Sequence, residues 1–226
     1  MNKFKYKIIY LSVLLAAIFL LSNCDRTVEV TFKGELRGKV VDQNGNIVSG
    51  DVTTDDILVL ALGEKDTEAM RIRVLGDGTY TNTHLYEQSY VVNVIGAVIS
   101  SEEFTADLNQ GPVERNITVT PFLTIPPPEL VGIPSANEVT VSYNITGNEG
   151  YEPEERIIYV STVMYPSQST GSGANWHTRR KTVEQDQGTV TIDGLESGTR
   201  YFVRVTARAE AITRWNLSDQ IEFTTP

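Results

Sequence analysis

Cysteine occurs once in this 226-residue chain, at Cys24, and histidine twice, at His84 and His177. One thiol excludes a disulfide within the chain. One thiol and two imidazoles also cannot furnish the Cys/His set of a structural zinc site, so no metal is expected. Nucleophile elbow, phosphate loop, paired-histidine helix motif and Rossmann glycine signature are all missing, and no cofactor is expected. Basic residues are few, 19 Lys and Arg against 29 Asp and Glu. Their one local cluster is Arg179-Arg180-Lys181, too small a footprint for a phosphate backbone, which excludes nucleic acid as a partner. Long helical periods are absent. The one extended apolar run, Ile8 to Leu21, is about 14 residues, short of the roughly 20 that cross a bilayer as a helix.

That run follows Lys3, Lys5 and Lys7 and precedes Cys24, which is the layout of an export signal. Leu21-Ser22-Asn23-Cys24 resembles the lipobox of bacterial lipoproteins at its apolar and small positions and departs from it at Asn23. The expectation is a signal peptide over residues 1–23, a lipid on Cys24 and a tether over 24–33. The alternative is a plain secretory signal with an incidental cysteine. Cleavage removes three lysines and leaves 16 basic against 29 acidic residues, a formal charge of −13. Such acidity keeps an exported domain soluble and suits a neutral or cationic partner. The expected address is the outer membrane. Asp25 and Glu29 are the only acids close behind Cys24, a weak export signal, and the cell surface is favoured over the periplasmic face.

Past the tether, short runs rich in Val, Ile, Thr and Tyr alternate with turn clusters, the pattern of an all-β protein. Expected strands are Gly34 to Val41, Ile57 to Leu62, Met70 to Leu75, Tyr90 to Ile95 and Val113 to Thr120, then Val139 to Ile145, Arg156 to Met164, Trp176 to Val183, Thr189 to Ile192, Tyr201 to Ala207 and Gln220 to Thr224. Asp42-Gln43-Asn44-Gly45-Asn46 and Gly76-Asp77-Gly78 supply the Gly and Asn or Asp of tight reversals. The first begins like a calcium loop but lacks the bidentate Glu, so a bare turn is expected. Pro126-Pro127-Pro128 cannot continue a ladder and marks a boundary. The organisation read from this is a β-sandwich over 34–122, a semi-rigid proline linker over 123–129 and a second β-sandwich over 130–226.

The segment from Val190 to Val205 resembles the E–F region of a fibronectin type III domain. The resemblance implies that Leu195 packs inward, Gly198-Thr199 make a corner, and Tyr201 closes it by hydrogen-bonding to the backbone. Tyr143 stands where that family commonly has Trp. The first half, through Gly38-Lys39-Val40-Val41-Asp42, Asn44-Gly45, Asp77-Gly78-Thr79-Tyr80 and Tyr90-Val91-Val92, resembles the transthyretin-like sandwich of carboxypeptidase regulatory domains, which implies a module without a peptidase site. Asp77 to Thr83, Val119 to Leu123 and Arg214 to Ser218 together look like an uncharacterised two-domain bacterial lipoprotein family. That resemblance implies an association with starch-utilisation-type glycan-uptake loci of gut bacteria and carries no catalytic residues.

Exposed aromatic rings are the functional lead, since a flat ring binds the apolar face of a sugar while nearby amides, hydroxyls and acids take its hydroxyl groups. Tyr165, Asn175, Trp176 and His177 frame a Gly- and Ser-rich loop, expected at the end of the second sandwich away from the first. The structural alternative has Trp176 begin a strand and pack on the core. Arg214, Trp215 and Asn216 are a secondary candidate, with a ring packed between the two halves as the favoured alternative. His84 is expected in an ordinary turn. The expected function is a non-enzymatic, lipid-anchored accessory component of an outer-membrane glycan-uptake system, binding polysaccharide or an outer-membrane transport protein. A structural spacer without a ligand is second and a glycan-active enzyme third. If the lipid alone holds the chain to the membrane, Cys24→Ser yields a soluble product in fractionated cells. Retention of that variant after high-salt and carbonate washing overturns the anchor.

Overall fold

Period-two alternation, with Leu36, Val40, Tyr80, Ile117 and Val119 facing inward and polar residues facing out, builds the first sandwich. The computed structural model describes residues 32–51, 53–168 and 179–226. The strands of the first half are β1 (Gly34–Val41), β2 (Ile57–Gly63), β3 (Met70–Arg73), β4 (Thr79–Leu85), β5 (Ser89–Gly96), β6 (Val98–Ser101), β7 (Phe104–Asp107), β8 (Val113–Glu114) and β9 (Ile117–Pro121). One sheet has the order β4-β1-β9-β6, with β8 also on β1; the facing sheet runs β3-β2-β5-β7. Val59, Ala61, Ile72, Tyr90, Val92 and Phe104 fill the core from the second sheet.

Two features differ from the sequence-based expectation. The single strand expected over Val113 to Thr120 is broken at Arg115 and Asn116, and its two parts pair in parallel with β1. The break is used: Arg115 O accepts from Tyr80 Oη at 2.6 Å and Asn116 Oδ1 from Lys39 N at 3.0 Å. Gly38 permits it, because a Cβ there would lie 1.8 Å from Arg115 O. Second, Thr79 to Leu85 is a strand, with His84 near its end, where a turn was expected around His84. Only Tyr80 and Leu85 of this edge strand are buried, so its apolar signal is weak.

The second half contains β10 (Leu123–Thr124), β11 (Glu129–Leu130), β12 (Glu138–Asn144), β13 (Thr146–Gly147), β14 (Pro153–Ser161), β15 (Arg179–Thr182), β16 (Gln187–Asp193), β17 (Arg200–Ala209), β18 (Trp215–Leu217) and β19 (Ile221–Thr224). A sheet β11-β12-β16 faces a sheet β15-β14-β17-β18, with β19 on β17. The fold is therefore all-β, two sandwiches in tandem. Of the strand expected from Trp176, Arg179 to Thr182 is present and residues 176–178 lie outside the described residues. At the corner, Tyr201 Oη accepts from Glu196 N at 2.9 Å, Leu195 is buried, Gly198 has φ of 65° and the Tyr201 ring stacks on Phe223.

The expected linker is only partly a connector. Leu123 and Thr124 pair with Thr146 and Gly147, Leu123 is buried, and Glu129 opens β11. The halves also meet directly. In β14 and β17 both faces are buried: Ile158, Val160, Tyr201, Val203 and Val205 turn to the core, while Tyr159, Phe202, Arg204 and Thr206 on the other face are equally covered. The cover includes Gly50, Asp51, Thr54 and Asp56 of the first half. Asn216 joins the halves most closely, its Nδ2 donating to Ala97 O at 2.8 Å and its Oδ1 accepting from Leu123 N at 3.1 Å. Trp215 N donates to Asp56 Oδ1 at 3.0 Å, Arg214 Nη1 to Asp55 O at 2.6 Å, and Ser49 bridges Leu217. We call this junction the seam.

Two measurements probe this arrangement. Tyr201→Phe leaves Glu196 N without its acceptor and should cost about 1–3 kcal/mol; an unchanged denaturation midpoint would refute the corner. Burial raises the pKa of Asp56, against the opposing hydrogen bonds from Thr54 and Trp215 N. A carboxyl group raised on folding contributes stability below its unfolded pKa and loses it as pH rises through the folded value. Asp56→Asn keeps an acceptor for Trp215 N without the charge, so it should be at least as stable as the parent at pH 7, its advantage vanishing below the ordinary carboxylate range. A variant less stable than the parent at pH 7, its deficit vanishing at acid pH where Asp56 is protonated, would show that the carboxylate charge is needed.

Candidate functional site

The seam is built on Val48 to Asp51 and Thr53 to Asp56 from the first sandwich and Trp215 to Gln220 from the second, and Arg204 lies beneath them. Arg204 sits at the middle of β17, where alternation points it away from its own core and into the first half. It is fully buried. Nε donates to Ser218 O and Nη2 to Gly50 O, each at 2.8 Å, while Nη1 has no partner among the described residues. Burial lowers its pKa to about 10, with Asp51 and Asp219 pulling the other way, so it stays charged at neutral pH.

Above Arg204 lies a cleft of about 180 Å³ lined by Asp51, Gly76, Asp77, Met164, Tyr165 and Ser167, among others. Tyr165 defines one wall. Its backbone has φ of 55°, costly for a bulky side chain, and its N–H donates to Gln220 Oε1. The ring lies against Gly76, where a Cβ would come within 2.2 Å of Tyr165 Cγ, and the Arg204 guanidinium carbon is 5.7 Å from the ring centroid. Burial raises the Tyr165 pKa, and the carboxylates of Asp77 and Asp219 raise it further. Asp77 is itself desolvated, yet hydrogen bonds from Thr79 N and Oγ1, at 3.0 and 2.6 Å, hold its pKa below the ordinary value. The cleft thus presents a half-buried ring, an ionised carboxylate, a second carboxyl group and a hydroxyl over a buried cation. This set can stack on an apolar face and hydrogen-bond to hydroxyl groups.

A larger recess of about 370 Å³ adjoins the seam, between the Asp42 to Val48 turn and the proline segment. Its walls are largely apolar, from Ile47, Val48, Pro121, Leu123, Ile125 and Leu217, with Asp42 and Asp219 among its polar groups. Asp42 is spent on its own turn, accepting from Asn44 N and Asn46 N at 2.8 Å each. The turn is closed by side-chain hydrogen bonds.

The sequence-based candidates separate as follows. Tyr165 belongs to the cleft, but the end of the second sandwich on which it was expected is corrected: it faces the first half, not away from it, because the segment after β14 folds back over β17. Asn175, Trp176 and His177 lie outside the described residues. Arg214, Trp215 and Asn216 are seam residues, Asn216 fully buried between the halves and Trp215 half-buried with the Arg208 guanidinium 5.8 Å from its ring. Sequence reasoning did not single out Arg204 or Asp51, read Asp77 only as a turn and family-motif residue, and reached Ser167 only as part of the Ser-rich loop after Tyr165. Arg204 carried one signal, a charged residue inside the buried run Tyr201 to Ala207. Among the described residues no group of three or more His, Cys, Asp or Glu side chains could hold a metal ion.

No protein-family model matches the chain, and no curated protein does. Solved structures do. A DUF3823 family protein from Parabacteroides merdae superposes with a TM-score of 0.67 at 18% identity, covering 84% of this chain and 98% of that one. A DUF3823 family protein from Bacteroides ovatus gives 0.66 at 17% identity, over 86% and 100%. A Bacteroides uniformis protein described as a candidate carbohydrate-binding protein gives 0.65 at 15% identity, again over 86% and 100%. At these identities the likeness is one of fold: this chain has the two-sandwich architecture of the DUF3823 structures along nearly their whole length.

Proposed function

We propose that this chain is a lipid-anchored, non-enzymatic envelope protein that binds carbohydrate at the seam, as an accessory component of an outer-membrane glycan-uptake system. The observation that carries the reading is the Tyr165 cleft, where a strained aromatic residue is held beside Asp51, Asp77 and Ser167. Backbone strain persists where surrounding structure over-determines it, and such residues cluster at binding sites. The fold shared with the Bacteroides uniformis protein is consistent with this reading, as is the export signal ending at Cys24.

A second reading is favoured by one specific observation. Asn216 and Arg204 hydrogen-bond across the seam and lock the sandwiches into a fixed relation, which suits a spacer that holds a partner protein, such as an outer-membrane transporter, at a set height.

The readings part at Tyr165. Tyr165→Gly removes the ring and relieves the positive φ at once, so the fold should be retained. Loss of at least about tenfold in affinity for a retained polysaccharide, with little change in melting temperature, is expected from affinity electrophoresis and calorimetry. Unchanged binding by the folded variant would remove the cleft as the site. Absence of binding by the parent to any polysaccharide, with capture of a transport protein, would favour the spacer.

A further inference from the structure

The first sandwich has a second end, opposite the seam. Four strands run between the two ends: β1 ends beside the Asp42 turn and begins at Gly34, β2 leaves Asp56 and ends at Gly63, β4 leaves the Gly76–Gly78 turn and ends at Leu85, and β5 ends beside Ala97 and begins at Ser89. At about 3.3 Å per residue they put roughly 23–26 Å between the ends. We call the far end the foot.

Large apolar side chains gather there without cover. Phe32, Met70 and Tyr86 are 47%, 46% and 45% exposed, and Leu62 and Val91, cross-strand partners at that end, are 42% and 43% exposed. The rings are contiguous, Phe32 lying 4.8 Å from Tyr86 and 6.4 Å from His84 between centroids. With Leu85 and Tyr90 they line an open groove of about 640 Å³. The seam binds no part of this surface.

The position of the chain entry decides what covers it. Phe32 is a foot residue, eight positions after Cys24. Fully extended, eight residues reach about 28 Å. A lipid on Cys24 therefore holds the foot, and no other part of the first sandwich so tightly, close to a bilayer. Tyr and Phe rings partition to the headgroup region of membranes. A patch of a few rings is too weak to bind alone, but the tether supplies a high local lipid concentration.

We propose that the foot rests on the bilayer: the Phe32, Tyr86 and Met70 surface contacts the headgroup region and turns the seam away from the membrane. The proposal rests on the lipid-anchor reading of Cys24. The exposed acids Glu64, Asp66, Glu68 and Glu87 outnumber the cations Lys33, Lys65 and Arg71 at this end, so the surface suits zwitterionic lipid and is weakened by anionic lipid.

The chain carries its own reporters. From Cys24 onward it has two methionines, Met70 at the foot and Met164 at the seam, both exposed. The mature chain is coupled through its single thiol to a maleimide lipid in phosphatidylcholine nanodiscs that also hold a gadolinium-chelating headgroup, and the methionine methyl signals are recorded. Attenuation of Met70 several-fold greater than that of Met164 is expected, and the Phe32→Ser/Tyr86→Ser double variant should lose this selectivity while keeping its melting temperature. Equal attenuation of the two signals in the parent would overturn the proposal, as would full selectivity in the folded double variant. Because the tether is made chemically, a failure here is distinct from a failure of cells to lipidate Cys24, which fractionation of Cys24→Ser reports.

Discussion

A buried guanidinium governs the arrangement of this molecule. Taking Arg204 out of water costs several kcal/mol, and the cost is offset only by hydrogen bonds in fixed positions. One acceptor, Ser218 O, comes from its own sandwich and another, Gly50 O, from the other. Neither half can satisfy Arg204 alone. Asn216 repeats the logic with a neutral group: its amide oxygen holds Leu123 N within its own half while its Nδ2 donates to Ala97 O of the other, and separation would strand that carbonyl and the amide N–H. The apolar cores of the halves are continuous around these polar contacts. The prolines set the path of the chain between the halves, and the buried hydrogen bonds set the angle.

Much of the fold was legible because its signals are local. Gly34 to Val41 and Ile57 to Leu62 announce themselves by composition, and the corner at Tyr201 by a run of residues whose contacts lie within five positions. What escaped depends on distant partners. Thr79 to Leu85 is polar because it is an edge strand, and Val113 to Pro121 breaks because parallel pairing with β1 requires a step around Gly38. Tyr165 was singled out for its aromatic ring, but its placement was not legible: the fold-back over β17 depends on Gly76, almost ninety residues earlier, lacking a side chain. Arg204 looks like an outward-facing residue of an alternating strand until the other half is known to cover that face.

The distribution of exposed groups follows from the same constraint. The seam takes up one end of the first sandwich, and most of its uncovered large apolar residues, Leu75 and Ile95 apart, lie at the other, where the chain enters. The cleft, in turn, exists only while both halves are present. Gly76 and Asp77 come from one, Tyr165 and Ser167 from the other, and the strain at Tyr165 is sustained by the packing between them.

The parallel pairing of β1 with β9 has a further consequence, for the order in which the protein can be made. Val40 pairs with Ile117, 77 positions later, and β1 occupies an interior place in its sheet. The first strand to be synthesised therefore waits for one of the last strands of its sandwich, and a long loop must close before that pairing is rewarded. Until then β1 presents an unpaired edge. A chain so ordered is exposed to misassociation for the time it takes to deliver its first half, and the sparse, charged flanks Glu35, Arg37 and Lys39 on that strand are suited to protecting it meanwhile.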